Sequence, residues 1–121
     1  MSDTFSEFRV YTKDIPIANV VKLDNFWAKS RGVIGRDAPA IGNGYWLTRT
    51  GSIHTYFVSY PLDIIFTDLH LKIIAIHQSV KPWKPYLGSR HGENTFELSN
   101  NTLNTITAVL SIGDQLHIEQ F

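Results

Sequence analysis

No uninterrupted apolar stretch in this chain runs longer than four residues, Ile73-Ile74-Ala75-Ile76 being one such stretch. Gly, Pro, Asn and Asp stand between these stretches and leave room for short elements. A membrane span needs roughly 20 apolar residues in a row, so none is expected. The pattern predicts a mainly β chain, bordering on α+β, built as a small antiparallel β-sandwich or barrel with two short helices. The length of 121 residues suits one domain. That domain is expected over residues 17–121, with residues 1–16 as an N-terminal arm or edge strand, because Pro16 lacks the N–H an interior strand uses.

Phe8–Tyr11 alternates weakly, and the β-branched run Ile17–Val21 stops at Asp24-Asn25. Short polar side chains of this kind accept from the unpaired N–H groups of a first helical turn, which predicts a helix from Asn25 to Arg31 with Gly32 and Gly35 as stops. Strands are predicted over Tyr45–Thr48 and Ile53–Val58 around a turn at Gly51, over Leu62–Phe66 and Lys72–His77 as a hairpin, and over Thr95–Leu98 and Leu116–Phe121. Alternation in the first hairpin strand places Leu62, Ile64 and Phe66 on one face and Asp63 beside Ile65 on the other. Asn100 or Asn101 is predicted to cap a second helix, on which Leu103, Ile106, Val109 and Leu110 recur at helical spacing. Pro82 and Pro85 make Lys81–Gly88 a loop, and it carries Trp83 and Tyr86.

A hydrophobic share of 43% excludes disorder as the main state, and a chain of this size buries enough surface to need no staple. It contains no cysteine, which excludes thiolate metal sites, iron–sulfur clusters and cysteine nucleophiles and fits a reducing compartment. Eleven Lys and Arg balance eleven Asp and Glu, so no summed field draws the chain onto nucleic acid. Residues 1–7 have no apolar core, so the expected location is cytoplasmic as written, or exported if a signal peptide was removed. His54, His70, His77, His91 and His117 show no metal-ligand spacing, and neither a metal nor a cofactor is expected. Ser52 and Ser59 lack a nucleophile-elbow context, and Gly42-Asn43-Gly44 lacks phosphate-loop spacing.

The segment Phe26–Arg36, containing Arg31-Gly32-Val33-Ile34-Gly35-Arg36, resembles the opening Arg-Gly-Leu-Met/Leu-Gly-Arg motif of the domain of unknown function 192 (DUF192) family. His54-Thr55-Tyr56-Phe57-Val58, Pro61-Leu62-Asp63 and Phe66-Thr67-Asp68 are similar to its central His-Thr-Phe-Phe-Met, Pro-Ile-Asp and Phe-Leu-Asp run, in order and spacing. Pro82-Trp83-Lys84 resembles its Pro-Trp-Arg segment, and Phe96-Glu97-Leu98 with Gly113-Asp114 resembles its closing Leu-Glu-Leu and Gly-Asp motifs. Val58 stands where the family often has Met, and Ile34 in the Leu/Met position. The resemblance, from Val20 to Ile118, implies a compact, mainly β bacterial or archaeal domain without an established activity.

Three constellations are candidates for chemistry. His54 lies near Asp63 and Asp68 in sequence, so a carboxylate can orient the imidazole for proton transfer; the plainer reading is a histidine tied to backbone, with Asp63 holding the turn after Pro61. Arg31 and Arg36 bracket two glycines, an arrangement that either clamps an anion or pins the helix through Asp37, Asp63 or Glu97. Trp83 and Tyr86 form either a stacking platform or a lid on the core. The expected function is a non-enzymatic binding or accessory module for a small polar ligand or peptide, its pocket drawn from Arg31, Arg36, His54, Asp63, Trp83 and Tyr86. One alternative is an enzyme with His54 as general acid or base, oriented by Asp63, acting on a small anionic substrate. The other is a structural subunit of an oligomer with a protein partner.

Overall fold

The computed structural model describes residues 6–104, 106 and 110–121. The chain forms β1 (Glu7–Thr12), β2 (Ile15–Leu23), helix α1 (Phe26–Arg31), β3 (Asn43–Thr48), β4 (Ser52–Ile53), β5 (Leu62–Thr67), β6 (Ile73–Val80), β7 (Leu87–Gly88), β8 (Asn94–Ser99) and β9 (Leu116–Gln120). Seven strands make one sheet in the order β6-β5-β8-β3-β2-β1-β9, and β4 pairs with β7 apart from it. Every ladder of the large sheet is antiparallel except β2–β3, which is parallel. Parallel neighbours require a long crossover, and residues 24–42 with α1 provide it. The sheet is therefore mixed, where an antiparallel one was expected.

The outer strands meet at one end through a bridge between Lys72 and Gln115, where the Leu116 N–H donates to the Leu71 carbonyl at 2.9 Å. The sheet curls but stays open along the rest of β6 and β9, so it is neither a sandwich nor a closed barrel. From Glu7 onward the expected arm or edge strand is instead an interior strand, with β2 on one side and β9 on the other. Pro16 is tolerated because it lies in β2, and β2 pairs with β3 only from Asn19.

Other expectations also change. The strand expected over Ile53–Val58 ends at Ile53, and β4 pairs with β7 rather than with β3. Beyond it, Phe57 holds a left-handed backbone (φ 63°) that no strand allows. Among the described residues α1 is the one helix. Residues 101–104 and 106 form turns, and the rest of the expected second helix, 105 and 107–109, lies outside the described residues. Asn101 has φ 72°, and the Leu103 N–H donates to a side chain in place of a helical carbonyl.

Both faces of the central strands are buried, and every residue of β5 and β8 is withdrawn from solvent. On one face Ile65, Phe96 and Leu98 join Val10, Val20, Ile73, Leu103 and Leu116. On the other, Leu62, Ile64 and Phe66 pack with Val33, Val58 and Val80, and next to them Leu23, Ala28 and Leu47 seat α1. Asp63 shares the first face with Ile65, as the alternation predicts, and is fully buried. Its Oδ1 accepts from the Ser79 N–H and its Oδ2 from the Leu103 N–H, each at 2.9 Å. One carboxylate thereby ties β5 to the end of β6 and to the 101–104 turn.

Asp63→Ala leaves the buried Leu103 N–H without an acceptor and takes away the partner of the part-buried Ser79 N–H. At about 1–3 kcal/mol for each orphaned group, the expected loss is about 3 kcal/mol, read as a fall in the urea midpoint with little change in slope.

Candidate functional site

Helix α1 begins where Asn25 accepts from the Ala28 N–H at 2.8 Å, and it is seated by Ala28 against Leu23 and Leu47. It ends at Gly32, whose N–H donates to the Ala28 carbonyl at 2.9 Å. Gly32 has φ 50°, and a Cβ there would stand 2.8 Å from Oε1 of Glu97. The positive φ favours glycine, and a Cβ would push the Glu97 carboxyl aside. The end of the helix thus rests its backbone directly over a carboxyl group on β8.

Glu97 lies between Phe96 and Leu98, which face the opposite side of the sheet, so alternation turns its side chain toward α1. It is only 3% exposed. No described residue donates a hydrogen bond to it, and neither ion pair among the described residues involves it. Burial pushes its pKa up to about 7. The carboxyl reaches a cavity of about 310 Å³ whose wall includes Lys29, Arg31, Leu47, Ile53, His54 and Val58. That volume is at the small end of the ~300–1,000 Å³ usual for ligand pockets.

Of the six candidates from the sequence, two line this cavity. Arg31 is exposed at its edge, with Nε donating to the Ile34 carbonyl at 2.9 Å. His54 is exposed, its Nδ1 accepting from the Tyr56 N–H at 3.2 Å. Arg36 is a strut: its Nε donates to the Gly32 carbonyl at 2.7 Å and its guanidinium stands 5.3 Å from the centre of the Tyr45 ring. Asp63 belongs to the other face of the sheet and is occupied there, so the His54–Asp63 pair does not form. Asp68 instead accepts from the His70 and Lys72 N–H groups, and these backbone bonds, Lys72 first, hold its pKa below the ordinary value.

Trp83 and Tyr86 stand outside the cavity wall. Trp83 nevertheless lies against the His54 segment: its ring meets Phe57 at 4.9 Å and Tyr56 at 6.1 Å, and Tyr56 in turn meets His54 at 5.2 Å. Thr55 makes this junction. Its hydroxyl donates to the Lys81 carbonyl at 2.8 Å and accepts from the Lys84 N–H at 2.7 Å, while its own N–H donates to the Lys84 carbonyl at 2.8 Å. The Trp83 N–H returns to the Thr55 carbonyl at 2.7 Å. Phe57 and Trp83 are largely exposed, and Trp83, like Phe57, has a left-handed backbone. Tyr60 braces the loop after α1, its hydroxyl donating to the Arg36 carbonyl at 3.2 Å. Its pKa is raised, first by burial and then by Tyr45, Glu97 and Asp37.

Sequence reasoning held Glu97 only as a possible partner for an arginine. Its signal is one acid between two apolar residues within a strand, which makes it the one charged group on a face it shares with Thr95 and Ser99. Among the described residues no group of three or more His, Asp or Glu could hold a metal ion, and no helix is long and apolar enough to cross a membrane.

A curled mixed sheet with a helical crossover seated over a buried carboxyl defines a small β domain with a cavity on one face. The chain belongs to the DUF192 family, described as "Uncharacterized ACR", whose profile matches residues 10–118. Two crystal structures share the fold. A candidate transcription regulator from Sinorhizobium meliloti 1021 superposes with a TM-score of 0.79 at 21% identity, covering 97% of this chain and 95% of that one. A protein of unknown function from Novosphingobium aromaticivorans DSM 12444 superposes with a TM-score of 0.77 at 15% identity, covering 92% and 83%. A search of curated proteins found no match.

Two measurements check the site's physics. The Glu97 carboxyl binds its proton more tightly in the folded chain, about 7 against an ordinary 4.5, so stability falls as pH rises through that window and is level above it. The full difference is about 3 kcal/mol. Glu97→Gln is therefore expected to melt progressively higher than wild type as pH goes from 5 to 7.5, and a constant gap between the two curves would contradict the shifted carboxyl. Thr55→Val keeps the shape of the residue but removes two hydroxyl hydrogen bonds; at about 1 kcal/mol each, it is expected to cost about 2 kcal/mol and to speed proteolytic cleavage between Lys81 and Tyr86.

Proposed function

We propose that this chain is a non-enzymatic binding module that holds a small polar ligand in the cavity between α1 and β4. Glu97 is the acceptor at its base, and Arg31 and His54 are the polar groups at its mouth. One observation carries this reading: Glu97 is a buried carboxyl, turned into a cavity, with no hydrogen-bond partner among the described residues. The carboxyl is not sealed away as the unpartnered Thr48 Oγ1 is; it opens on the cavity, so what satisfies it is what enters there, and a ligand carrying a donor fits. Apolar side chains of Leu47, Ile53 and Val58 supply the rest of the wall. The Trp83 loop, locked to the His54 segment through Thr55, steadies the mouth.

The same carboxyl favours one second reading. A group that titrates near neutrality suits general acid–base chemistry, so an enzyme of this architecture would move its proton at Glu97, with His54 at the mouth, in place of the His54–Asp63 pair.

A thermal-shift screen of wild type, Glu97→Gln and His54→Ala against metals, nucleotides, sugars, sugar phosphates, amino acids and short peptides tests the binding reading. A ligand at 100 times its Kd adds about 2.7 kcal/mol, a rise of about 10 °C for a domain of this size. The expected result is one compound class that raises the Tm of wild type and not of Glu97→Gln. If no class shifts wild type, or the shift is equal in Glu97→Gln, the binding reading fails; turnover of the compound that binds would replace it with the enzymatic one.

A further inference from the structure

Resting on the binding reading above, we infer that the ligand is a small zwitterion of the α-amino acid type, its ammonium group on Glu97 at the base of the cavity and its carboxylate on Arg31 at the mouth. The cavity is polarised along its depth. Inside stands one carboxyl without a hydrogen bond or counter-ion among the described residues. Lys29, the other cation of the wall, is anchored at the side, its Nζ spending one of its three donors on the Thr48 carbonyl at 2.9 Å. At the mouth, Arg31 uses only its Nε among the described contacts, which leaves the forked Nη donors that match a carboxylate in two places.

Charge decides among small polar ligands. An anion at the base meets a carboxylate, a simple cation leaves Arg31 unused, and a polyol supplies neither charge. A zwitterion answers both ends and brings no net charge into a volume of about 310 Å³. The apolar wall formed by Leu47, Ile53 and Val58 then accommodates the substituent between its two charged groups.

The raised pKa of Glu97 adds a signature. An ammonium ion favours the ionised carboxyl, so binding expels the proton Glu97 holds below neutrality, and affinity rises with pH up to about 7 before it levels. Lys29, Arg31 and His54 share the cavity wall with Glu97, and Tyr60 lies within its electrostatic reach, as it does within that of Tyr45, Asp37 and Arg36. His54→Gln removes the one imidazole among them from the profile.

The test is calorimetric titration of the full chain with glycine, L-alanine, L-leucine, L-glutamate and L-lysine, each beside its N-acetyl and carboxamide derivatives, at pH 6 and 8. At least one free amino acid is expected to bind, up to about 10-fold more tightly at pH 8 than at pH 6, also in His54→Gln. N-acetylation is expected to weaken it at least 100-fold and Glu97→Gln at least 10-fold. Conversion to the carboxamide and Arg31→Gln are each expected to weaken it about 10-fold, and together no further. Arg31 is exposed, so that variant folds even if Glu97→Gln does not. Equal binding of free and N-acetylated forms overturns the inference. Binding of sugars or polyols without any amino acid also overturns it and leaves the binding reading standing, whereas silence from every compound class ends both.

Discussion

The rest of the structure depends on one constraint: β5 and β8 lie in the middle of a sheet that is covered on both faces. Any polar side chain on those strands is carried into the interior, and its charge must be answered there. Two acids meet this constraint in opposite ways. Asp63 is answered by two backbone amides and so joins a strand end to a turn. Glu97, one position along from Asp63's partner Leu98 and so on the other face, receives neither a hydrogen-bond donor nor an ion pair among the described residues, and its charge is suppressed instead. The first acid stabilises the fold; the second is held by it in a state that water or a ligand would relieve.

That contrast also explains the segment around α1. The helix is too short to persist alone, and it is held by its Asn25 cap, by Ala28 against Leu23 and Leu47, and by a glycine that lets the chain turn over the Glu97 carboxyl. The same segment carries the crossover that makes β2 and β3 parallel. Position of the cavity and topology of the sheet are thus two results of one stretch of chain, residues 24–42.

Local features were legible in the residues. Asn25 marked the helix start, alternation placed Asp63 on the face of Ile65, and Pro82 and Pro85 marked the loop that follows β6. Pairing partners were not legible, because a strand's period of two is the same whichever neighbour it finds. Nothing in Tyr45–Thr48 says that it will run parallel to β2 on one side and take β8 on the other. The site suffered from the same limit. His54 and Arg31 were readable as chemically capable side chains, but the carboxyl they share a cavity with lies 43 positions beyond His54 and reaches them only through the strand order. Proximity in sequence had favoured Asp63 as the partner, and sheet pleating sent it to the wrong side.

The strand order has a consequence for how such a chain is made. β1 is paired on one side by β9, which follows it by more than a hundred residues. Until β9 emerges, that edge of β1 offers open N–H and C=O groups beside the apolar side chains of Val10 and Phe8, the kind of template on which strands of other molecules pair. The hairpin of β5 and the outer strand β6 is local, yet β1 gains its second neighbour only through a ladder spanning more than a hundred residues. Such long-range closure is slow, so the edge of β1 stays uncovered until β9 pairs with it.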